Sequence, residues 1–362
     1  MVIQSIKHTR VFCTLLKGAI YVNNYNMNQE RLQDLDSKGN VRPWREKKSG
    51  SLNLASSYGR LKQDDIIVVD KDTQENAYWL ESFRRFEAMV GDCASYIEFE
   101  NVDGKKKLKR AFFCQKRLCP MCNWRKSIKT FTSVSKVMDA IQTEHPDLQP
   151  VFLTLTQRNC AFEDLEAEIK RIFEGFHRLV NNRVIKEQVE GWFRALEVTY
   201  NKKTNTWHPH LHVIMLFPKA YFSKKNKRYL DTAKWVRLWR LSMRLDYDPV
   251  ADIRAVKVGK DGDKRKAIAE VAKYPLKDKT ILTKNKVLTD KLVACLTKAL
   301  HRKRLYAFGG IMAKTAKALR MDNFDDGDLV KVGEDETVRS DVASIITAFR
   351  WDFGLMDYVR IK

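Results

Sequence analysis

No run of about 18 apolar residues occurs in this chain, so no membrane-spanning helix is expected. No long basic amphipathic helix is present that would lie on a bilayer. The early segment Val11-Phe12-Cys13-Thr14-Leu15-Leu16 is stopped by Lys17 and lacks a clear cleavage site, so it does not read as a secretory signal. Cysteine is scarce and odd in number: seven residues, three of them at positions 114, 119 and 122. That pattern excludes the framework of a small secreted disulfide protein and makes the cytoplasm the expected compartment. Acidic residues are also short, 45 against 67 Lys and Arg, for a formal charge of +22. On a chain of 362 residues with 44% hydrophobic content, this surplus points to a polyanionic partner, nucleic acid first. The length allows two domains, or one core domain with additions.

Residues 1–75 resist assignment and read as a basic N-terminal arm. Pro43-Trp44-Arg45-Glu46-Lys47-Lys48 is either an arm against a phosphate backbone or a solvated loop. Tyr78, Trp79, Phe83, Phe86 and Val90 then recur at helical spacing. After Cys93, two alternating stretches around Asp103-Gly104 predict a hairpin that leads into Cys114-Gln115-Lys116-Arg117-Leu118-Cys119-Pro120-Met121-Cys122. Cys119-x-x-Cys122 has zinc-knuckle spacing, and Cys114 and Cys93 complete a four-thiolate set suited to structural Zn²⁺. A redox pair or buried free thiols would leave the neighbouring Cys114 unexplained. Cys13, Cys160 and Cys295 stand alone and read as packing residues. Lys116, Arg117, Arg125 and Lys126 crowd around the knuckle, either as a duplex-gripping surface or as a solvated charged face. Residues 76–145 thus form a zinc-knuckle and helical DNA-binding module.

Residues 146–282 read as a βαββαβα core: strands over 150–158, 191–200, 208–217 and 252–258, with helices over 162–180, 231–245 and 264–274. The fold class is α+β, a mostly antiparallel sheet flanked by helices. The third strand carries Trp207-His208-Pro209-His210-Leu211-His212, so three imidazoles project from one face at a period of two. Alternate histidines can grip one ion. A hairpin with the preceding strand would bring Glu197 level with His210 and His212. Two imidazoles and a carboxylate suit Mn²⁺ or Mg²⁺ against phosphate oxygens, and zinc also tolerates these donors. Lys202, Lys203 and Trp207 could guide and stack a single strand, although Trp207 could equally cap the strand end.

On the last helix of the core, Glu270 and Tyr274 stand one turn apart with Lys273 beside them. A phenol can attack phosphorus if its proton is lost as attack begins, and a carboxylate one turn away can deprotonate water or a terminal hydroxyl. Alone, Glu-x-x-x-Tyr is better explained by an ordinary helix face, and it gains weight only from its place after the histidine strand.

In order, Phe152-Leu153-Thr154-Leu155-Thr156, His208-Pro209-His210-Leu211-His212 and Glu270-x-x-Lys273-Tyr274-Pro275 resemble the three motifs of rolling-circle plasmid replication initiators, the Rep branch of the HUH endonucleases. The Cys114-x4-Cys119-Pro120-x-Cys122 segment is similar to one in that branch, and the resemblance spans about residues 76–320. It implies a bacterial, plasmid-encoded enzyme that binds the double-strand origin and nicks one strand. The enzyme would stay joined through a 5′-phosphotyrosine, leave a 3′-hydroxyl primer, and rejoin the strand at termination. By position it implies Tyr274 as nucleophile, His210 and His212 as metal ligands, Glu197 as third ligand, Glu270 as the termination acid, and His208 and Lys273 in supporting roles. The target must be single-stranded at the nick, and a host helicase and replication proteins are expected partners.

Residues 283–362 read as a C-terminal helical extension. A Lys-rich helix runs on from Asp278 toward Arg304, Gly309-Gly310 is a turn, and 322–336 is an acidic segment without EF-hand spacing. The tail is apolar enough to pack, and self-association stays open. Competing readings are an HUH transposase or relaxase, a zinc-organised non-catalytic DNA-binding regulator, and a small-substrate metallohydrolase, which leaves the charge without a use.

Overall fold

Apolar stretches of this chain close antiparallel sheets, and its amphipathic helices cover them. The computed structural model describes residues 13–16, 19–22, 30–62, 74–102, 105–223, 225–256, 261–272, 278–323, 327–335 and 345–361. In chain order, β1 (Cys13–Leu16) and β2 (Ala19–Val22) form a hairpin of their own. Helices α1 (Trp44–Leu61) and α2 (Gln74–Asp92) lead to the hairpin β3 (Tyr96–Val102) and β4 (Lys105–Ala111), and then to the 25-residue α3 (Pro120–Glu144). The expected turn at Asp103-Gly104 lies outside the described residues.

Next come β5 (Leu148–Leu155), α4 (Leu165–Asn181), the single turn α5 (Arg183–Lys186), β6 (Gly191–Asn201), β7 (Thr206–Pro218), α6 (Thr232–Met243), β8 (Ala251–Ala255) and α7 (Asp261–Ala272). The last part is α8 (Asp278–Ile281), α9 (Lys286–Ala299), β9 (Tyr306–Gly309), α10 (Gly310–Ala318), β10 (Ile345–Asp352) and β11 (Asp357–Arg360).

The larger sheet has strand order β8-β5-β7-β6-β9, with antiparallel pairing throughout. Strand β7 at its centre is buried along nearly its whole length because helices cover both faces. On one face, α4 turns Leu165, Ile169, Ile172, Phe176 and Leu179 inward and α6 turns Trp235 and Trp239 inward. On the other, α7 and α10 lie over β6 and β7, and α3 packs against both helices. The smaller sheet, β11-β10-β3-β4, lies in the cysteine module.

Three expectations about organisation change. The segment at Trp44 is neither an arm nor a solvated loop: it opens α1, with Trp44 buried against Phe99 and Trp124 and Lys48 fully buried. The extension from residue 283 is not simply helical. Residues 306–309 add a fifth strand beside β6, and the tail hairpin β10–β11 completes the smaller sheet by pairing with β3. The Lys-rich helix is also broken. Asn285 caps α9 by accepting from the Leu288 amide, and the Thr289 hydroxyl accepts from the Thr283 amide. At Gly309-Gly310 the chain needs glycine twice: a Cβ on the first would strike the Trp192 ring, and the second has φ +59° against the Glu190 carbonyl.

Arg125 and Lys126, expected on a DNA-gripping surface, are buried instead. Arg125 donates to the carbonyls of Leu329 and Val330 and pairs with Asp335 at 2.9 Å. Arg42 bridges Asp335 and Asp34, and Asp34 accepts from the Trp44 indole. This network fastens the 327–335 segment to α3. Replacing Asp335 with Ala would leave a buried guanidinium without its counter-charge, so Asp335→Ala should cost about 3 kcal/mol in urea denaturation.

Candidate metal centres and the pocket beside them

The cysteine cluster is assembled by three chain segments. Cys93 follows α2, Cys114 follows β4, and Cys119 and Cys122 sit at the N-cap and in the first turn of α3. All four are buried, and their sulfurs lie within 4.8 Å of one another. The Cys93–Cys122, Cys114–Cys122 and Cys93–Cys119 separations are each 3.6 Å. Tetrahedral zinc with bonds near 2.3 Å requires an edge of about 3.8 Å, whereas a disulfide requires about 2.05 Å. The donor set therefore fits a four-coordinate ion.

Residues Ala94 and Gln115, each directly after a cysteine, take left-handed φ values of 51° and 57°. These turns fold the chain back over its sulfurs, and the Cys114 amide points at the Cys93 sulfur at 3.5 Å. Burial opposes ionisation of Cys119, but hydrogen bonds from the other three thiols and Ser51 outweigh it and hold this thiol well below the usual range. The ammonium of Lys48 is buried beside the cluster, donating to the carbonyls of Gly91 and Cys93 and to the Ser95 hydroxyl. Sequence reasoning missed Lys48, because a lysine in a charged run carries no sign of burial.

The second cluster rests on strand register. Glu197 stands directly opposite His210, and His212 stands between Ala195 on β6 and Thr154 on β5. One oxygen of Glu197 meets Nε2 of His212 at 2.8 Å and Nε2 of His210 at 3.3 Å. These three are the other metal-competent group among the described residues, and all are buried. Burial alone would raise the Glu197 pKa, but hydrogen bonds and charge from both imidazoles outweigh it and hold the carboxyl far below its ordinary range.

The remaining ring nitrogens are fixed by neighbours. Nδ1 of His210 lies 3.2 Å from the His208 carbonyl, which can only accept, so that nitrogen carries the proton. Nδ1 of His212 lies 3.2 Å from the Thr154 hydroxyl, and the His212 ring stacks on Phe152. Both rings thus turn Nε2 toward Glu197, as ligands of one cation would. His208 itself stacks on His210 rather than joining the cluster, and burial followed by the charge of His210 lowers its pKa.

A cavity of about 480 Å³ opens beside His212, lined also by Phe152, Thr154, Arg254, Lys266 and Glu270. Helix α7 therefore brings Glu270 to the pocket that His212 lines. Lys273 and Tyr274 lie outside the described residues, α7 being described as far as Ala272. Lys202 and Lys203 are exposed at the tip of the β6–β7 hairpin. Trp207 is fully buried between Phe162 and Tyr200, so it caps the strand end and is closed to a stacking base. Lys116 lies over the Phe86 ring at 4.4 Å, and Arg117 is half-buried in the loop between Cys114 and Cys119.

Two separate ion-competent clusters on a basic α+β chain, one of thiolates and one of imidazoles with a carboxylate, narrow the class of protein considerably. Residues 105–359 match the family described as "Replication protein", and the chain belongs to that family. It is similar to "Protein rep" of Streptococcus pneumoniae serotype 2 (strain D39 / NCTC 7466), 35% identical over 333 residues, covering 91% of this chain and 96% of the relative. "Protein rep" of Bacillus amyloliquefaciens is 34% identical over 354 residues, covering 93% and 98%. "Protein rep" of a Bacillus sp is 40% identical over 258 residues, covering 66% and 82%. No solved structure matches the chain.

Thr154→Val keeps the shape of the strand but removes the partner that orients His212. Mn²⁺ affinity measured by calorimetry should fall by about 10- to 100-fold. Cys114→Ser should lose the bound metal measured by elemental analysis, with a lower melting temperature in the same preparation.

Proposed function

We propose that this chain is a rolling-circle replication initiator of the HUH type, which nicks and rejoins one strand of a plasmid origin. The observation that carries the reading is the Glu197–His210–His212 cluster, whose His212 lines a pocket that Glu270 also lines. A divalent cation held there, Mn²⁺ or Mg²⁺, would neutralise charge on the phosphate under attack. Two neutral imidazoles and one carboxylate leave coordination positions open for phosphate oxygens, which suits such an ion.

The work of this chain's residues then divides by chemistry. The His208 carbonyl holds the proton of His210 on Nδ1, and the Thr154 hydroxyl orients the His212 ring. The phenol of Tyr274 loses its proton and bonds to phosphorus as the bond to the 3′ oxygen breaks, and that oxygen takes up a proton and leaves as a free hydroxyl. The phosphotyrosyl ester keeps the phosphate activated, so a later hydroxyl or water can reverse or end the reaction without ATP. Glu270 accepts the proton from that second nucleophile. Cys93, Cys114, Cys119 and Cys122 would hold Zn²⁺, which would fasten the first turn of α3 to the Lys116–Arg117 loop. Origin DNA single-stranded at the nick is the substrate, with a host helicase downstream. Among the described residues no helix is long and apolar enough to cross a membrane.

Tyr274→Phe should abolish covalent attachment to a labelled single-stranded oligonucleotide while leaving duplex binding within about twofold of the parent, since phosphate contacts dominate affinity. Attachment that persists would remove the nucleophile assignment. Glu270→Gln should still attach but should release the strand more slowly, by roughly 10²-fold or more, in a single-turnover chase.

A further inference from the structure

Between the cysteine module and the core lies a basic and aromatic patch that the nicking chemistry does not use. The start of α2 contributes Tyr78, 44% exposed, and the buried Trp79. The end of α9 contributes Lys298, whose ammonium lies 6.0 Å from the Trp79 ring centre, and the loop after it contributes His301 and Arg302. The Tyr78 hydroxyl reaches Nε2 of His301 at 3.4 Å, and the His301 ring meets Trp79 edge-on at 5.2 Å. Arg302 is exposed on a left-handed residue with φ 52°.

The charge at this spot is positive. His301 has its pKa lowered first by burial and then by Arg302 and Arg117, with Lys303 acting the same way and Glu166 opposing. That single acid is bridged by Lys303 at 2.8 Å. The last carbonyls of α9 do not offset the field, because the amides of His301 and Lys303 engage those of Lys298 and Leu300. Arg117 comes from the loop between two cysteines, so one anion here would be held from both parts of the chain at once.

We infer that the patch formed by Tyr78, Arg117, His301 and Arg302 grips the phosphate backbone of duplex DNA beside the nick site. Guanidinium groups, a phenol hydroxyl and an imidazole N–H are all donors to phosphate oxygens, and none of them needs to read a base. The inference rests on the DNA-processing reading above, but its test does not depend on strand cleavage.

The full-length, metal-loaded chain is titrated with a labelled random-sequence duplex over about 50 to 200 mM salt. Arg302→Gly suits the left-handed backbone and removes only the side chain. It should lower the slope of log affinity against log salt by about 0.9, and the pair Arg117→Gln with Arg302→Gly by about 1.8, with affinity down roughly tenfold. Zinc content and covalent transfer to a short single-stranded oligonucleotide should stay at the parent level. Unchanged slopes in a variant with full zinc content would overturn the patch, as would a loss confined to single-stranded probes. If the parent binds duplex with the expected slope but never attaches covalently to any strand, the nicking reading fails and the patch stands.

Discussion

One carboxylate oxygen facing two imidazole nitrogens sets the terms for the core of this protein. Glu197 is buried, and a buried carboxylate must be paired to be tolerated. The His208 carbonyl obliges His210 to carry a proton on Nδ1, so a neutral ring would aim the Nε2 lone pair at another acceptor. Two acceptors turned toward one point call for positive charge between them, as a proton or as a cation. The register of β5, β6 and β7 creates this demand, since a slip of one residue would turn both histidines to the face covered by α4 and α6. The sheet and its helices are the means of holding three donor groups around one point that a proton or a cation can occupy.

The cysteine cluster is connected to that demand through α3. Cys119 and Cys122 fix the first turn of the helix, Arg125 one turn later anchors the 327–335 segment, and the body of α3 packs against α7. Helix α7 in turn presents Glu270 to the pocket beside His212. An ion at the thiolates would thus support the wall of the second site through packed helices, although the clusters share no residue. The buried charge of the module has the same logic. Four thiolates around a divalent ion carry net negative charge, and Lys48 is the ammonium placed against them.

Period-two and short-range spacing made both clusters legible. His210 and His212 fall on one face of any strand, and Glu197 follows once that strand is paired as a hairpin. Cys119-x-x-Cys122 states its geometry locally. The order of helices and strands from β5 to α7 was readable from the same kind of spacing, apart from the single turn α5. The misses share a different cause. Trp44, Lys48 and Arg125 sit in runs rich in Lys and Arg, which look solvated because burial of a cation depends on partners far away in sequence. Asp335 and the Cys93 carbonyl are such partners. The pairing of β10 with β3 joins opposite ends of the chain, and no local pattern announces it. Tyr274 lies outside the described residues, and its assignment rests on motif order alone.

A net charge of +22 predicts a polyanionic partner but not where it binds, and the buried cations show why. Lys48, Arg42, Arg125 and Arg60 are engaged by carbonyls and carboxylates, so the density of Lys and Arg around the cysteines overstates what that surface offers. Cations that face solvent include Lys202 and Lys203 at the β6–β7 hairpin tip, and Arg302 and Arg304 after α9. Both places border the histidine strand pair, the first as its own turn and the second through β9, whose Tyr306 pairs with Ala195. Long-range attraction of a nucleic acid would therefore act at the edges of the sheet that holds the imidazoles as well as at exposed Lys109 and Arg110 of the cysteine module, where part of the positive charge is engaged in holding the module together.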